Sequence, residues 1–257
     1  FKSALGEPSL EQCDQLSKYL RPDFEYYEPA KTAALRRSAE ILHFTKEQFD
    51  CLDYMSLENR VAVNGPAGTG KTLLAIEAFR RSLSDGNKAR LICFNRALGL
   101  WLGAQVVDKS PIGTGMGSIH QLMRQIVGPD KIPPDPPNEF WEEELPKLAI
   151  DRLIGDESQQ YLVDELIIDE AQDLLKPALL DFFDLLLKGG VASGRWRMFG
   201  DFEHQSIYGQ DARGFAEVLE GRVGLFTRVP LKINCRNTPR IVQSLEIHTG
   251  LHPYDKI

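Results

Sequence analysis

Short apolar runs alternate along this chain with longer stretches of mixed polarity. The apolar runs predict five buried strands, at residues 60–64, 91–94, 166–168, 195–200 and 225–233. The stretches between them predict helices, at residues 73–79, 97–105, 118–127, 139–154 and 177–188. Because strands that are apolar throughout are buried on both faces, the pattern indicates a mainly parallel sheet with helices on both sides. The predicted fold class is therefore α/β.

Glycine and proline residues mark the breaks between these elements. Gly86 ends the helix that follows the first strand, and residues 113–117 form a glycine-spaced loop. The proline pairs within residues 133–137 exclude regular structure and belong to a small helical insertion at about residues 106–160. Residues 1–44 are charged, helical in tendency and interrupted by prolines. They predict an N-terminal linker segment, followed by a domain that spans residues 45–257.

The residues between the first strand and its helix fit the phosphate-binding pattern G-x-x-x-x-G-K-[ST]. They are Gly65, Pro66, Ala67, Gly68, Thr69, Gly70, Lys71 and Thr72. The glycines let the backbone approach phosphates closely, and the N–H groups of the loop and helix start attract negative charge. Lys71 places an ammonium group against the β- and γ-phosphates, and the Thr72 hydroxyl is a Mg²⁺ ligand. The strand–loop–helix context therefore predicts a nucleotide and Mg²⁺ site.

Two carboxylates follow the strand at residues 166–168. Asp169 is predicted to hold the Mg²⁺, directly or through water, and Glu170 to polarise the attacking water as a general base. The alternative is a solvated acidic turn, against which the phosphate-binding loop upstream argues. The Asp-Glu pair followed by Ala-Gln-Asp favours attack by water over the transfer to a substrate hydroxyl that a metabolic kinase performs.

The composition of the chain limits which classes of protein and which partners are possible. The 257 residues are 42% apolar, enough for one large α/β domain or somewhat more. The net charge of -7 does not by itself indicate a nucleic-acid partner, so such contact requires a local basic face. The cysteines are far apart, which argues against a zinc site or a disulfide framework and indicates a reducing cytoplasm. No apolar run reaches the roughly 18 residues of a membrane span.

Several short motifs resemble the UvrD/Rep-like superfamily 1 helicases, over about residues 45–245. The motifs are TKEQ at 45–48, FNRAL at 94–98, GSIHQ at 117–121, DEAQD at 169–173, GDFEHQSIY at 200–208 and NCRNT at 234–238. The resemblance implies a RecA-like P-loop domain that binds ATP and Mg²⁺, hydrolyses ATP and moves along single-stranded DNA.

The resemblance also implies roles for single residues at the nucleotide. Gln48 reads the adenine edge through its amide, and Gln205 senses the γ-phosphate. Arg236 is a candidate arginine finger, because an always-charged guanidinium suits the spread charge of phosphoryl transfer. Cys235 is expected to be a small buried residue rather than a nucleophile. His120 can equally be a packed histidine, and no catalytic role is predicted for it.

A second set of residues is implied to contact the nucleic acid. Asn95, Arg96 and Ser118 lie in segments that contact single-stranded DNA in the family. The tryptophan with which many relatives stack a base is missing after Tyr208. Tyr208 or Phe215 is the residue expected to stack in its place.

The more specific resemblance is to helicase-like proteins with an N-terminal nuclease-related NERD domain. CFNRAL, LIIDEAQD, GDFEHQSIY and NCRNT carry it together. It implies such a domain before the linker segment and a second RecA-like domain after residue 257. Because ATP in the family sits between two RecA-like domains, we expect residues 1–257 alone to bind nucleotide weakly and to hydrolyse it poorly.

Three functions fit these observations. The first is an ATP-driven helicase or translocase on single-stranded DNA, with domain closure and opening as its motion. The second is an NTP-dependent switch that controls an attached or partner nuclease, for instance in DNA defence, without unwinding. The third is a degenerate ATP-binding scaffold, against which the intact Lys71, Glu170 and Arg236 argue. DNA-stimulated hydrolysis distinguishes the first function from the other two.

Overall fold

The computed structural model describes residues 46–104, 114–155, 158–202, 221–250 and 252–254 of the chain. The strands in these ranges are β1 (Arg60–Asn64), β2 (Ala89–Cys93), β3 (Gly115–Ser118), β4 (Glu165–Ile168), β5 (Arg195–Gly200) and β6 (Thr227–Pro230). They form one sheet in the order β3-β2-β4-β5-β1-β6. Each neighbouring pair is parallel, so the carboxyl ends of the strands lie along one edge.

Helices connect the strands. They are α1 (Lys46–Leu57), α2 (Lys71–Ser84), α3 (Arg96–Ala104), α4 (Ile119–Val127), α5 (Leu145–Ile154), α6 (Pro177–Leu186), α7 (Gly190–Ser193) and α8 (Pro239–Thr249). A π-helical turn, Phe140–Glu144, leads into α5. A 3₁₀ turn, Ala171–Asp173, follows β4 closely.

The sheet has an apolar core on each face. Successive side chains of a strand point to opposite faces. In β4, Leu166 and Ile168 pack with residues of α4, α5 and α6, whereas Ile167 packs with residues of α1, α2 and α3. A strand that is apolar throughout therefore contributes side chains to both cores. This confirms the predicted fold class, a RecA-like parallel α/β sheet of the P-loop NTPase type with helices on both faces and a small helical insertion.

One segment predicted as a loop is a strand at the edge of the sheet. The loop prediction for residues 113–117 is wrong at its C-terminal end, since Gly115–Ser118 forms β3 beside β2. Two glycines in four residues leave no apolar pattern by which to recognise a strand. Helix α3 packs closely against this strand: a Cβ at Gly99 would lie 2.5 Å from the Ser118 backbone nitrogen. The range given to the insertion, 106–160, thus includes a strand of the main sheet.

The other predicted elements are present with shifted ends. The strand predicted at 225–233 is shorter, since β6 ends at Pro230, whose ring nitrogen cannot donate to a neighbouring strand. The acidic helix predicted at 139–154 begins with the π-helical turn and continues as α5. The linker predicted at residues 1–44 lies outside the described residues. In the ranges that the structure describes, no helix has both the length and the apolarity to cross a bilayer.

A buried ion pair fastens α1 to the sheet at the amino ends of the strands. Glu165 of β4 and Arg197 of β5 are both almost fully buried, and the Arg197 Nε lies 3.2 Å from the Glu165 carboxylate. Arg197 also donates to the backbone carbonyl of Asn59 at 2.8 Å and to that of Met55, at the end of α1. Burial lowers the pKa of Arg197 to about 10, so the guanidinium stays charged at neutral pH.

Loss of this guanidinium should destabilise the domain strongly. Arg197→Ala removes the buried partner of Glu165, whose carboxylate is then paired with the half-buried Arg195 alone, at 3.2 Å from its Nε. We expect the free energy of unfolding to fall by up to about 3–5 kcal/mol. Arg222→Ala is the matched control, because Arg222 pairs with Asp181 at 2.6 Å on the exposed surface and such pairs contribute less than about 1 kcal/mol. Urea unfolding followed by circular dichroism measures both. Equal losses in the two variants would contradict this account of the ion pair.

Candidate nucleotide-binding site

The predicted phosphate-binding loop connects β1 to α2 at the carboxyl edge of the sheet. Gly68 and Gly70 have φ angles of 94° and 86°, a region that side chains other than glycine rarely adopt. A Cβ at Gly65 would lie 2.8 Å from the carbonyl oxygen of Leu231, so this position also requires glycine. Gly70 caps α2 without any side-chain hydrogen bond, and the first N–H groups of a 14-residue helix thus face the loop. Such a helix start attracts an anion.

Lys71 is folded back over the loop in this structure. Its Nζ donates to the carbonyl oxygens of Gly65 at 2.7 Å and Pro66 at 3.1 Å. Burial lowers the pKa of Lys71, while the negative charges of Glu170, Asp201 and Asp169 oppose that shift. The acceptors of the ammonium group are therefore two neutral carbonyl oxygens, and acidic side chains lie nearby. An anionic phosphate is a stronger acceptor and can replace these carbonyl oxygens.

Asp169 is fully buried where β4 ends. Its Oδ1 accepts the Glu170 N–H at 3.1 Å, and the Thr72 hydroxyl hydrogen-bonds to the carboxylate. Its Oδ2 has no hydrogen-bond partner in the structure. Burial and, to a smaller extent, the Glu170 carboxylate raise the pKa of Asp169, whereas hydrogen bonds from Thr72 and the Glu170 N–H and the charge of Lys71 lower it. Together these effects raise the pKa to about 6. A cation beside Oδ2 would both satisfy this oxygen and restore its charge.

Glu170 adopts a strained backbone conformation. Its φ of 52° makes it the single non-glycine residue with a positive φ among those the structure describes. Its side chain accepts a hydrogen bond of 2.8 Å from the Gln172 amide, whose oxygen accepts the Asp201 N–H at 3.2 Å. Strain of this kind is retained where the surrounding structure fixes it, often at functional sites. Gln172 thus fixes the predicted general base and ties it to the end of β5.

The loop that contains Arg236 lies against the phosphate-binding loop. The Cys235 N–H donates to the Gly68 carbonyl at 2.9 Å. The Asn234 side chain accepts the N–H groups of Arg236 at 3.1 Å and Asn237 at 2.9 Å, which holds the loop in a tight turn. The Arg236 side chain is exposed, and its positive charge is near enough to act on the pKa of Lys71.

Helix α1 contacts both of these loops. The buried Gln48 amide donates to the Thr69 carbonyl at 2.9 Å, so its role toward adenine stays a prediction. Glu47 accepts the backbone N–H groups of Lys232 at 2.9 Å and Ile233 at 3.1 Å. The sequence analysis identified Gln48 but not Glu47, although both belong to the TKEQ motif at residues 45–48. Glu47 is the residue that joins α1 to the segment leading to Arg236.

The expectation that Cys235 is buried is wrong. The residue is exposed, because residues 231–238 cross the surface over the phosphate-binding loop instead of continuing β6 into the sheet. Partial burial of the thiol and the nearby Glu47 carboxylate raise its pKa, which favours the protonated thiol. Its sulfur lies 3.7 Å from the Gln48 amide nitrogen.

Tyr254 is a second residue that sequence reasoning missed. Its hydroxyl donates to the Ala67 carbonyl at 2.6 Å and accepts from the Asn237 amide at 3.4 Å. It is separated from the loop by 187 positions in sequence, and no motif marks it. The segment after α8 therefore contributes to the wall of the phosphate-binding loop.

The residues predicted to contact nucleic acid lie at the same edge of the sheet, after β2 and β3. Asn95 and Arg96 are exposed, and the Asn95 side chain accepts the Leu98 N–H at 3.0 Å in the first turn of α3. Ser118 is buried, and its side chain and backbone form a capping box with Gln121 at the start of α4. Their roles stay predictions. The predicted sensor Gln205 and the stacking candidates Tyr208 and Phe215 lie outside the described residues.

Comparison with known proteins finds no matching family model and no matching curated protein. Among solved structures, unliganded Pif1 from Bacteroides sp has 19% identity and a TM-score of 0.42, covering 80% of this chain and 45% of that one. Pif1 helicase from Candida albicans has 16% identity and a TM-score of 0.41, covering 74% and 40%. AMPPCP-bound DnaA from Aquifex aeolicus has 14% identity and a TM-score of 0.36, covering 89% and 54%. The chain spans about half the length of these solved chains.

The class of protein rests on the sheet and the loop themselves. A parallel sheet of this order, with the loop between β1 and α2 and a carboxylate pair after β4, defines a RecA-like P-loop NTPase fold. The residues present fit Mg²⁺ and a nucleotide: Asp169 offers an unpartnered buried oxygen, and the glycines leave room for phosphate. No group of three or more Cys, His, Asp or Glu residues gathers to hold a metal in the described ranges. A Mg²⁺ ion at Asp169 would therefore need phosphate oxygens and water as further ligands.

Ionisation of Asp169 should destabilise the nucleotide-free domain. The pKa of its carboxyl is raised from an ordinary value near 3.9 to about 6 in the folded state. The folded state thus binds the proton more tightly, and its stability falls as the pH rises through this window. Because Asp169→Asn cannot ionise, its free energy of unfolding should rise relative to that of the unchanged protein as the pH goes from 4 to 7. We expect this relative gain to reach up to about 3 kcal/mol. Urea unfolding at both pH values gives the difference.

Asp164→Asn is the control of opposite sign. A hydrogen bond from Lys188 lowers the pKa of the Asp164 carboxyl, so this group stabilises the fold above its unfolded pKa and loses that effect as the pH falls. The asparagine variant should therefore lose stability, relative to the unchanged protein, as the pH rises from acid values through the ordinary pKa near 3.9, and should show no gain between pH 4 and pH 7. A common direction for both variants would contradict the assignment of the Asp169 shift to burial.

Relief of the strain at Glu170 gives a further prediction. Glu170→Gly and Glu170→Ala both remove the carboxylate, but only glycine adopts a φ of 52° without strain. The glycine variant should be more stable than the alanine variant by about 1 kcal/mol. The same pair of substitutions at Asp173, whose φ is not positive, should show no gain for glycine. Thermal unfolding of the four variants measures this, and a gain at both positions would refute it.

Proposed function

We propose that this chain is the ATP-binding and ATP-hydrolysing domain of a superfamily 1 motor that acts on single-stranded DNA. The observation that carries the proposal is the buried Asp169 carboxylate, with one oxygen unpartnered, beside Glu170 and near the ammonium group of Lys71. A buried acceptor without a partner is costly. A Mg²⁺ ion that binds with a nucleotide would remove this cost. Such binding explains why an acidic residue is buried at this position.

Each side chain has its own task in the proposed hydrolysis. Asp169 and Thr72 would hold Mg²⁺, which would supply positive charge against the phosphates. Lys71 moves from the loop carbonyls to the β- and γ-phosphate oxygens, where charge-assisted hydrogen bonds are stronger. Glu170 accepts the proton of the attacking water, and Gln172 orients its carboxylate. Arg236 reaches toward the γ-phosphate from a loop that already touches Gly68.

Adenine and γ-phosphate recognition involve residues further from the loop. Gln48 turns its amide from the Thr69 carbonyl toward the adenine edge, and Gln205 follows β5 as the γ-phosphate sensor. The nucleic acid is proposed to lie along Asn95, Arg96 and the start of α4 near Ser118. Asn95 and Arg96 follow β2, which neighbours the strand that ends in Asp169, so the two activities share one edge of the sheet.

The proposal extends to the longer protein of which this chain can be part. UvrD/Rep-like helicases of the NERD-containing kind are the proposed relatives. A second RecA-like domain would complete the ATP site, a nuclease-related domain would precede the linker, and the protein would act in the cytoplasm. The chain by itself is then a weak ATP hydrolase, because it supplies one wall of the site.

An NTP-dependent switch of a nuclease is the second candidate. Two observations favour it: the net charge of -7, which disfavours long-range attraction of DNA, and the buried Ser118 side chain, which is engaged in the capping box. In a switch, nucleotide binding changes the contact with the partner and DNA does not stimulate hydrolysis.

Two substitutions separate binding from hydrolysis. Lys71→Ala removes the phosphate-binding ammonium group and should weaken ATP binding by about tenfold or more. Glu170→Gln should leave ATP binding within about twofold and reduce hydrolysis by a factor of about 10²–10⁴, since it removes the general base. Fluorescent-nucleotide titration and a phosphate-release assay, both with Mg²⁺, measure the two effects. Arg80→Ala, an exposed cation on the same helix α2, is the control and should change neither.

Addition of single-stranded DNA to the phosphate-release assay, run on the longer protein that contains both proposed RecA-like domains, distinguishes the candidates. A motor requires hydrolysis to rise about tenfold or more with DNA, and this rise must disappear in Lys71→Ala and Glu170→Gln. Hydrolysis that ignores DNA would refute the motor and leave the switch. Hydrolysis that persists in Glu170→Gln would refute the catalytic assignment itself.

A further inference from the structure

A cavity lies at the amino ends of the strands, on the opposite edge of the sheet from the phosphate-binding loop. It has a volume of about 350 Å³ and opens between the second halves of α1 and α2 and the starts of β4 and β5. We call it the arginine cavity. Helix α2 begins at the phosphate-binding loop with Lys71 and reaches the cavity with its last turns. At a rise of about 1.5 Å per residue, roughly 20 Å separate the two sites.

Three polar atoms of the cavity lining are buried and have no hydrogen-bond partner among the residues that the structure describes. They are the Ser82 Oγ, the Glu165 Oε2 and the Arg195 Nε. Ser82 and Glu165 are each only 2% exposed. The Arg195 Nε lies 3.2 Å from the Glu165 Oε1 as an ion pair, without the alignment of a hydrogen bond. Because an unpaired buried polar atom is costly, three such atoms at one cavity indicate a site for a hydrogen-bonding ligand.

The charges in the buried part of the cavity do not balance. Arg195 and Arg197 each place their Nε 3.2 Å from the same oxygen, Oε1, of Glu165. Burial lowers the pKa of Arg197, the Glu165 charge acts against this shift, and the positive charge of Arg195 adds to it. Two guanidinium groups that repel each other therefore share one carboxylate.

The other charged residues of the lining do not remove this excess. Arg81 and Glu77 pair with each other, with 3.1 Å between the Arg81 Nε and the Glu77 carboxylate. Arg80 and Asp85 are exposed residues of opposite charge near the end of α2. The lining as a whole has four arginines against three carboxylates, which favours an anionic ligand.

The unpaired atoms specify which kind of anion fits. The Arg195 N–H groups donate, and the Ser82 hydroxyl can donate, so both suit the oxygens of an oxyanion. The Glu165 carboxylate only accepts, and its Oε2 would repel an oxygen that carries no proton. The matching ligand is therefore an oxyanion with at least one O–H group. Inorganic phosphate keeps such a proton at neutral pH, whereas sulfate, which has the same tetrahedral shape, has none.

We propose that the arginine cavity binds inorganic phosphate, with Arg195 and Ser82 donating to its oxygens and the Glu165 Oε2 accepting its O–H. The volume lies at the lower end of the range for small-ligand sites, roughly 300–1,000 Å³. It has room for one phosphate together with the water molecules that such polar sites hold. The inference is independent of the proposed function, because none of these three residues belongs to the ATP site.

Isothermal titration calorimetry of the 257-residue chain, with sodium phosphate and with sodium sulfate at neutral pH and equal ionic strength, tests the proposal. Lys71→Ala serves as the background, because the phosphate-binding loop is expected to attract both anions. In this background one phosphate should bind per chain. Its affinity should exceed that of sulfate about tenfold or more, the effect of one hydrogen bond to a charged group.

Two substitutions in the same background assign the binding to the cavity. Arg195→Ala should weaken phosphate binding about tenfold or more, since it removes a charge-assisted hydrogen bond. Ser82→Ala should weaken it about three- to tenfold, and it removes a buried unpaired hydroxyl, so the fold should persist in circular dichroism. Arg222→Ala is the matched control, because Arg222 also pairs with a carboxylate but lies outside the cavity. It should bind phosphate as the background does.

Three results would overturn the proposal. The first is that the Lys71→Ala chain binds no phosphate, which would leave the cavity to water. The second is equal affinity for phosphate and sulfate, which would refute the role given to Glu165. The third is phosphate binding that neither Arg195→Ala nor Ser82→Ala weakens relative to Arg222→Ala, which would place the phosphate elsewhere.

Discussion

A carboxylate buried without a full set of partners organises the nucleotide site. Asp169 ends β4 in the middle of the sheet, where two helical layers exclude water from it. Thr72 and the Glu170 N–H satisfy part of the carboxylate, and its Oδ2 is left without a hydrogen bond. Burial therefore raises the pKa of its carboxyl group, and the Thr72 hydrogen bond and the positive charge of Lys71 offset only part of this shift. A cation bound next to this carboxylate together with phosphate would stabilise its ionised form.

Hydrogen bonds between segments far apart in sequence hold the groups around that carboxylate. Gln172 joins Glu170 to the end of β5, and Glu47 joins α1 to the loop before Arg236. Gln48 fastens α1 to the phosphate-binding loop. Because each contact crosses from one element to another, a change at the phosphates can reach α1, β5 and the Arg236 loop together. The arrangement is suited to a domain whose parts must respond to nucleotide as a unit.

The carboxyl edge of the sheet carries two different chemistries side by side. At β1 and β4, glycines, Lys71 and carboxylates provide an anion and cation site. Beyond β2 and β3, the rings of Phe94, His120 and Trp141 lie near the ammonium group of Lys176. The segment from Glu170 to Lys176 connects these two parts of the edge, and it begins with the residue of strained backbone conformation, Glu170.

The sequence by itself determined the sheet class and the phosphate chemistry. A fully apolar run such as Leu166–Ile167–Ile168 has one stable location, between two helical layers, and Gly65 to Thr72 fit a motif whose function is local to eight residues. The tertiary structure alone decided which distant residues meet. The segment GMGS forms β3 because it pairs with β2 and packs under α3. Cys235 is exposed because its loop crosses the surface. Trp141 contacts His120 because α4 and α5 pack together. Local pattern reports only neighbours in sequence, whereas these contacts depend on the packing of whole elements.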